Sequence, residues 1–120
     1  MAKILVLEND AGNANVLHLE LTEQLHQVKT ISDAALLKKT IDQFQPELIV
    51  MDILLDQCDG RQLCFDLKRS VKTAHIPILL ITAMLESQIY TVPIVADKVM
   101  LKPFDYDELA RTVNSLLATS

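Results

Sequence analysis

The sequence predicts an α/β fold built on a five-stranded parallel sheet that is doubly wound, with helices on both faces. Short apolar runs rich in β-branched residues alternate with patterns of helical period, and this alternation occurs five times. Such runs are typical of parallel strands that are buried on both faces. Because crossovers are right-handed, few topologies remain. We expect the strand order 2-1-3-4-5, which places the first and third strands side by side.

The individual elements follow from the period of the apolar residues. The predicted strands cover residues 3–7, 28–31, 48–52, 78–82 and 98–101. The predicted helices cover residues 11–26, 34–44, about 60–70, and a last segment that begins at residue 105. We expect the leucines of the first and last helices to face the core, together with Ala35 and Leu36 of the second. Ser32 or Asp33 is placed to cap the second helix, and Asp105 the last.

The fourth helix is predicted to be short or irregular. Residues 84–91 have the composition of a helix start, but Pro93 follows within an apolar stretch. Proline removes a backbone donor and clashes with the preceding turn. We therefore expect at most two turns of helix, or an irregular loop, between the fourth and fifth strands.

Composition and charge restrict the class of protein. The chain of 120 residues has the length of one domain, residues 1–120, with a net charge of −5. This charge argues against direct nucleic-acid binding, and the basic cluster of Lys68, Arg69 and Lys72 is expected to form a solvated helix end. We expect no signal peptide and no membrane-spanning segment, and hence a cytoplasmic protein.

The cysteines and histidines match no metal or redox spacing. We expect the two cysteines to be free thiols and the three histidines to be surface or edge residues rather than ligands. These residues are Cys58, Cys64, His18, His26 and His75.

Charged residues follow three of the predicted strands. Glu8 and Asp52 come directly after the first strand and at the end of the third, and Lys102 follows the fifth. Ligands of parallel α/β sheets collect at the carboxyl ends of the strands, so these three charges should converge at one edge. Two carboxylates so close together need a cation, a proton or a lysine between them. The pattern therefore predicts a site.

The ordered set of motifs resembles the receiver domain of response regulators in two-component signalling, over essentially the whole chain. The motifs are Glu8-Asn9-Asp10, Val50-Met51-Asp52, Asp59-Gly60, Ile81-Thr82-Ala83 and Lys102-Pro103-Phe104. The resemblance implies a flavodoxin-like (βα)5 fold. It also implies that Asp52 is the phosphoacceptor and that Mg²⁺ is bound by Glu8, Asn9, Asp52 and the backbone carbonyl of Leu54.

Two further roles are implied by the same resemblance. Lys102 would pair with Asp52 at rest and with a phosphoryl oxygen afterwards, and Thr82 would donate a hydrogen bond to another phosphoryl oxygen. Pro103 is expected to follow a cis peptide bond. A carboxylate can attack phosphorus once the repulsion between the two is cancelled by such cations.

The sequence departs from the family pattern at several positions. Asn9 stands where the family has a second acid, so we expect weaker Mg²⁺ binding; Asp10 lies one residue too far along to replace it. Val99 stands where the family often has a switching aromatic residue, and a β-branched side chain has little rotamer freedom. Asp56 replaces a common proline near the phosphoacceptor, and Pro93 lies in the region of the fourth helix.

The favoured function is a phosphorylation-controlled binding module. Its partners would be a sensor histidine kinase or phosphotransfer protein and an unidentified output protein, and it would be no enzyme beyond assisting its own phosphorylation and dephosphorylation. The chain can also be an excerpt of a longer protein. The alternative is a degenerate receiver that acts as a phosphorylation-independent scaffold. A phosphatase with an aspartate nucleophile is disfavoured by Leu54, which occupies the place of its general acid. A flavin-type cofactor binder is disfavoured by the presence of two glycines in all.

Overall fold

The computed structural model describes residues 1–119 and confirms the predicted fold class. A parallel sheet runs in the order β2-β1-β3-β4-β5. Its strands are β1 (Lys3–Leu7), β2 (Gln27–Ile31), β3 (Leu48–Asp52), β4 (Ile78–Thr82) and β5 (Lys98–Leu101). Its helices are α1 (Ala11–Glu23), α2 (Leu37–Phe44), α3 (Gly60–Arg69), α4 (Glu86–Ile89) and α5 (Tyr106–Thr119). Ser120, the last residue of the predicted domain, lies outside the described residues.

The sheet separates two layers of apolar core. Successive residues of a strand point to opposite faces, so Leu5 and Leu7 belong to one layer and Ile4 and Val6 to the other. Helices α2, α3 and α4 cover the first layer, and α1 and α5 cover the second. Each fully buried large aliphatic side chain contributes roughly 1.5–3 kcal/mol. The sheet is therefore packed on both faces and supports the residues that follow its strands.

Helix α4 has only four residues, as the prediction of a short fourth helix requires. Within residues 1–119, no side chain caps its N-terminus. Ile89 is its buried residue and packs into the layer that also holds α3. Pro93 follows it in an irregular segment that leads to β5.

The predicted core assignment of α1 is partly wrong. Leu17 and Leu21 are buried, but Leu19 is 59% exposed and Leu25 is 72% exposed. Helical geometry explains Leu19, because residues four apart share one face and Leu19 lies between them on the other side. The helix ends at Glu23, before Leu25, whose φ of 69° places it in the turn that leads to β2.

The start of the second helical pattern is also different from the prediction. Residues 34–36 form a 3₁₀ turn, and Asp33 caps it by accepting a hydrogen bond from the Ala35 amide at 2.9 Å. Ala35 and Leu36 are exposed, so their assignment to the core is wrong. A 3₁₀ turn has three residues per turn rather than 3.6, which shifts these side chains away from the face that α2 buries.

The amino edge of the sheet contains two polar anchors that differ from expectation. His26 is buried, and its Nδ1 accepts a hydrogen bond from the Ala2 amide at 3.1 Å. Burial and the nearby N-terminal charge lower the pKa of His26, against the opposing effect of Glu47. This bond holds β1 to the turn before β2.

The second anchor is Lys68. The prediction that its side chain is solvated is wrong. Its Nζ donates to the Ile76 carbonyl at 2.7 Å and forms an ion pair with Asp97 at 2.9 Å. Asp97 also accepts a hydrogen bond from the Ile78 amide at 2.8 Å. Lys68 therefore fastens the end of α3 to the amino ends of β4 and β5.

Both cysteines are free, and burial raises the pKa of Cys64 to about 11, which makes it an unreactive core thiol. Over residues 1–119, none of the helices combines the length and apolar character needed to cross a bilayer.

Candidate functional site

The predicted charges converge at the carboxyl edge of the sheet. Strands β1 and β3 are neighbours with Leu7 opposite Met51, so the next residues, Glu8 and Asp52, lie side by side. Strands β4 and β5 bring Thr82 and Lys102 to the same edge. The site is therefore assembled from residues that the sheet order alone makes adjacent, as a switch point of a doubly wound sheet should be.

Lys102 lies between the two carboxylates. Its Nζ is 2.8 Å from Glu8 Oε1 and 2.9 Å from Asp52 Oδ2. Glu8 and Asp52 are 1% and 6% exposed. Buried carboxylates of this kind require a charged partner, and the lysine supplies it. In their ionised forms the three side chains carry a net charge of −1, which leaves the site attractive to a cation.

Burial and proximity affect the protonation of these groups. Burial, followed by the hydrogen bond to Asp52, raises the pKa of Glu8, while Lys102 acts in the opposite direction. Burial disfavours the charged form of Lys102, but its hydrogen bonds to Glu8 and Asp52 outweigh this effect and raise its pKa. Lys102 is thus a fixed positive charge, and Glu8 is a carboxylate that depends on that charge to stay ionised.

The backbone after β3 positions the Asp52 carboxylate. Its Oδ1 accepts a hydrogen bond from the Leu54 amide at 3.0 Å. The loop then returns to the sheet, because Leu54 pairs with Asp59 in an antiparallel bridge and the Gly60 amide donates to the Ile53 carbonyl at 2.8 Å. These contacts bring the first turn of α3 directly against the phosphoacceptor candidate.

Gly60 is required by this close approach. A Cβ atom at residue 60 would lie 2.2 Å from the Asp52 carbonyl oxygen and 2.8 Å from Ile53 Cα. Both atoms belong to the backbone, which cannot rotate away as a side chain would. The Asp59-Gly60 motif is therefore explained by steric fit as well as by its turn.

Thr82 is fully buried at the end of β4. Its Oγ1 accepts a hydrogen bond from the Met84 amide at 3.0 Å, and its carbonyl accepts one from the Lys102 amide at 2.7 Å. The hydroxyl proton of Thr82 can still be donated, since the bond to Met84 uses an oxygen lone pair. The peptide bond between Lys102 and Pro103 is cis, as predicted.

Neither Asn9 nor Asp10 adds a third carboxylate to Glu8 and Asp52, because both side chains have other partners. The Asn9 amide Nδ2 donates to Asp56 Oδ1 across the mouth of the site. Asp10 instead caps α1, where its Oδ2 accepts a hydrogen bond from the Asn13 amide at 2.9 Å. The motif pattern does not predict the pair of Asn9 and Asp56, because the two residues lie 47 positions apart in the sequence.

The donor set is compatible with Mg²⁺. Glu8 and Asp52 provide hard carboxylate oxygens, and Mg²⁺ is typically held by one or two carboxylates together with water. Asn9 can add an amide oxygen, and Leu54 lies exposed at the rim of the site. Across residues 1–119, however, no group of three His, Cys, Asp or Glu side chains is arranged to hold a metal ion. The site fits the ion with one charge fewer than the family pattern.

Asp59 and Arg61 are site neighbours whose roles the sequence did not indicate. Asp59 caps α3 by accepting a hydrogen bond from the Arg61 amide at 2.8 Å, and it forms an ion pair with the Arg61 side chain at 2.7 Å. Arg61 is buried. A signal was present, because an arginine in the first turn of a helix opposes the helix dipole and needs a nearby acid.

Val99 is half-buried and packs against the core layer that holds Ile89. A fixed β-branched side chain therefore occupies the place of the aromatic residue common in the resembled family.

The fold and the site together define a class of protein: a doubly wound parallel domain with buried acids and a lysine at its switch point. A family model described as "Response regulator receiver domain" matches residues 4–114. The chain belongs to this family, whose members are signalling domains rather than classical enzymes and work with histidine kinases or phosphotransfer proteins.

Curated relatives support the same assignment. The DNA-binding dual master transcriptional regulator RpaA of Synechocystis sp. is 31% identical over 119 residues, which are 98% of this chain and 49% of RpaA. The response regulator ArlR of Staphylococcus aureus is 30% identical over 120 residues, or 98% of this chain and 53% of ArlR. The chain thus spans about half the length of these two relatives.

Solved structures share the fold. The receiver domain of a signal transduction histidine kinase from Syntrophus aciditrophicus superposes with a TM-score of 0.91 at 26% identity, covering 99% of this chain and 92% of its own. The receiver domain of the sensor histidine kinase PA1611 from Pseudomonas aeruginosa PAO1 gives 0.86 at 20% identity, covering 98% of each chain, and has a magnesium ion coordinated in its active site cleft.

Proposed function

We propose that this domain accepts a phosphoryl group on Asp52 from a sensor histidine kinase or a phosphotransfer protein, and that it signals through altered protein–protein contacts. The observation that carries the proposal is the buried Asp52 carboxylate, which is held by Lys102 at 2.9 Å and by the Leu54 amide at 3.0 Å. A carboxylate held in a fixed position next to a cation is prepared for attack on an electrophilic phosphorus.

The reaction transfers a phosphoryl group from a histidine nitrogen of the donor to a carboxylate oxygen of Asp52. One oxygen of Asp52 forms a bond to phosphorus as the bond between phosphorus and the donor's histidine nitrogen breaks. The bonding electrons stay with that nitrogen, which can take up a proton. Negative charge on the phosphoryl oxygens must be balanced throughout, and Lys102 is a permanent cation at this point.

The remaining site residues have roles that follow from their positions. Lys102 would exchange its bond to Asp52 for one to a phosphoryl oxygen, and Thr82 would donate its hydroxyl proton to another. Mg²⁺, held by Glu8, Asn9, Asp52 and the Leu54 carbonyl, would supply further charge neutralisation and orient the phosphoryl group. The magnesium ion in the active site cleft of the solved PA1611 receiver domain supports this assignment.

The proposal also includes the setting of the reaction. We place the protein in the cytoplasm, with a protein as its output partner and no direct contact of this domain with nucleic acid or a membrane. The net charge of −5 favours a protein partner over nucleic acid. Where the chain is part of a longer regulator, the same surface change would act on the adjoining domain.

Acetyl phosphate tests the proposal without knowledge of the kinase. The wild-type protein is incubated with acetyl phosphate and Mg²⁺, and its intact mass is measured with and without a chelator. We expect one phosphoryl mass in the wild type and in the surface control Asp66→Asn, and none in Asp52→Asn. Lys102→Met should react on the order of 100-fold more slowly, as when one stabilising donor is removed from a charged transition state.

The result also separates the proposal from the scaffold alternative. A wild-type protein that gains no phosphoryl group, while a known receiver domain in the same assay does, would indicate a degenerate receiver. A phosphoryl group that persists in Asp52→Asn would assign the reaction to another residue.

A further inference from the structure

Arg61 connects the loop after Asp52 with helix α4. It is the second residue of α3, and only 8% of its surface is exposed. Its guanidinium makes contacts on two sides that belong to different parts of the chain, residues 59 and 88–89. A buried arginine is costly unless all its donors are used, so this arrangement needs an explanation.

On the loop side, the guanidinium is held by Asp59. Arg61 Nε lies 3.1 Å from Asp59 Oδ1, and the second terminal nitrogen lies 2.7 Å from Oδ2. This forked geometry fixes the orientation of the arginine as well as its position. Asp59 in turn pairs with Leu54, whose amide holds the Asp52 carboxylate. Three successive contacts therefore connect the guanidinium with Asp52: the ion pair with Asp59, the bridge from Asp59 to Leu54, and the hydrogen bond from the Leu54 amide.

On the other side, the remaining terminal nitrogen donates to the end of α4. It lies 2.9 Å from the Ile89 carbonyl oxygen and 3.2 Å from the Gln88 carbonyl oxygen. The Ile89 carbonyl is the last of α4 and has no partner within the helix. The Gln88 carbonyl also accepts a hydrogen bond from Thr91 Oγ1 at 2.8 Å. A helix of four residues is marginal on its own. Arg61 thus acts as a C-terminal cap that comes from a different helix.

The segment that precedes α4 contacts the site through Thr82. The chain that leads into α4 begins at Thr82, whose Oγ1 accepts from the Met84 amide at 3.0 Å. Helix α4 is therefore attached to the site at both ends, through Thr82 at its start and through Arg61 at its end.

We propose that Arg61 is a coupling residue that transmits a change at Asp52 to helix α4. This inference rests on the proposed phosphorylation of Asp52. When the loop from 53 to 59 adjusts to a phosphoryl group, Asp59 carries the guanidinium with it, and the guanidinium moves or releases the end of α4. The link takes the place of an aromatic switch at Val99, where the side chain is fixed.

Lysine could not do the same. An ammonium group has no planar fork, so it could not pair with both oxygens of Asp59 and also reach the Ile89 carbonyl in the same orientation. Arg61→Lys should keep a positive charge and one hydrogen bond but restore the coupling only in part. It therefore separates the geometry of the link from its charge.

The test compares amide hydrogen exchange in residues 84–91 before and after phosphorylation by acetyl phosphate. Arg61→Met removes the guanidinium and keeps an apolar stem. Arg69→Met is the matched control, because it removes an exposed arginine from the same helix. Asp59→Asn keeps an acceptor for the Arg61 amide but weakens the ion pair. Intact mass gives the phosphoryl content of each sample, so all changes are compared per phosphoryl group.

In the wild type and in Arg69→Met, we expect phosphorylation to change exchange in residues 84–91. In Arg61→Met, basal exchange there should rise on the order of tenfold, as expected for the loss of charged hydrogen bonds, and the phosphorylation-dependent change should disappear. In Arg61→Lys and Asp59→Asn, the phosphorylation-dependent change in exchange should lie between those of the wild type and Arg61→Met. These two variants provide the test if Arg61→Met does not fold.

Two results would overturn the inference while leaving the proposed function intact. One is a phosphorylation-dependent change in Arg61→Met equal to that of the wild type. The other is loss of phosphorylation in Arg61→Met, which would make Arg61 a support of the phosphoacceptor loop and not a link to α4. A wild-type protein that takes up no phosphoryl group would instead refute the proposed function, and the inference with it.

Discussion

Replacing Gly60 by alanine adds one methyl group at the point where α3 meets the end of β3. The new Cβ would lie 2.2 Å from the Asp52 carbonyl oxygen and 2.8 Å from Ile53 Cα. Relief requires a backbone shift of roughly 1 Å, and overpacking of this kind costs about 1–3 kcal/mol. Alanine gains up to about 1 kcal/mol over glycine within a helix. We therefore expect a net loss of roughly 1–2 kcal/mol in the free energy of unfolding.

Gly12 provides a matched control in α1. A Cβ at residue 12 would meet Asp10 Oδ2 at 3.5 Å, an ordinary van der Waals contact. Gly12→Ala should therefore stabilise the protein by about 0.5 kcal/mol, because alanine has less conformational entropy to lose. The same chemical change is thus expected to have opposite signs at the two sites.

Urea unfolding followed by far-ultraviolet circular dichroism measures both effects. With a slope of about 1–3 kcal/mol per molar urea, the midpoint of Gly60→Ala should fall by roughly 0.5–1 M, and that of Gly12→Ala should rise slightly. The reasoning is refuted if Gly60→Ala is as stable as the wild type, or if the two variants lose equal stability. Either result would show that the loop after Asp52 relaxes freely around a side chain at residue 60.

Two further predictions concern the metal site and the dependence of stability on pH. Asn9→Asp should bind Mg²⁺ roughly tenfold more tightly in calorimetric titration. The double variant Asn9→Asp/Asp56→Asn should bind at least as tightly because it avoids a repulsion between two acids, and unchanged affinity in both would contradict the reasoning. The folded protein lowers the pKa of His26, so the unfolded state binds this proton more readily, and stability should fall as the pH drops below about 6.5. In urea unfolding from about pH 7.5 to about pH 5.5, His26→Gln should flatten this fall and the exposed control His75→Gln should not; an equal fall in all three proteins would assign it to other groups.

The fold could be predicted because strand period and burial are local properties. Residues 4–7, 48–51 and 78–81 are apolar throughout, and a parallel sheet with helices on both faces is the arrangement that buries them. Right-handed crossovers leave few strand orders, and the order 2-1-3-4-5 places Glu8 beside Asp52. The errors in α1 and before α2 have a different origin. Apolar content does not report which face a residue takes, and Leu19 and Leu36 are apolar but exposed.

The centre of the site was equally accessible from sequence, but its surroundings were not. Glu8, Asp52, Thr82 and Lys102 each follow or end a strand, so their meeting is a consequence of sheet topology. The contact between Arg61 and the Ile89 carbonyl joins two helices through a backbone acceptor, and a backbone carbonyl has no signature in the amino-acid sequence. Such contacts become visible only when the chain is folded.

The pair formed by Asn9 and Asp56 shows how the two departures from the family pattern depend on each other. An aspartate at residue 9 would face the carboxylate of Asp56, and two like charges at hydrogen-bond distance would repel strongly. Asn9 removes this repulsion and donates a hydrogen bond in its place. The chain thus has an acid at residue 56, after β3, and an amide at residue 9, after β1. The hydrogen bond between them joins these two loops. The side chains at residues 9 and 56 are therefore joined by one hydrogen bond, and the double variant tests whether an acid at residue 9 is tolerated once the charge at residue 56 is removed.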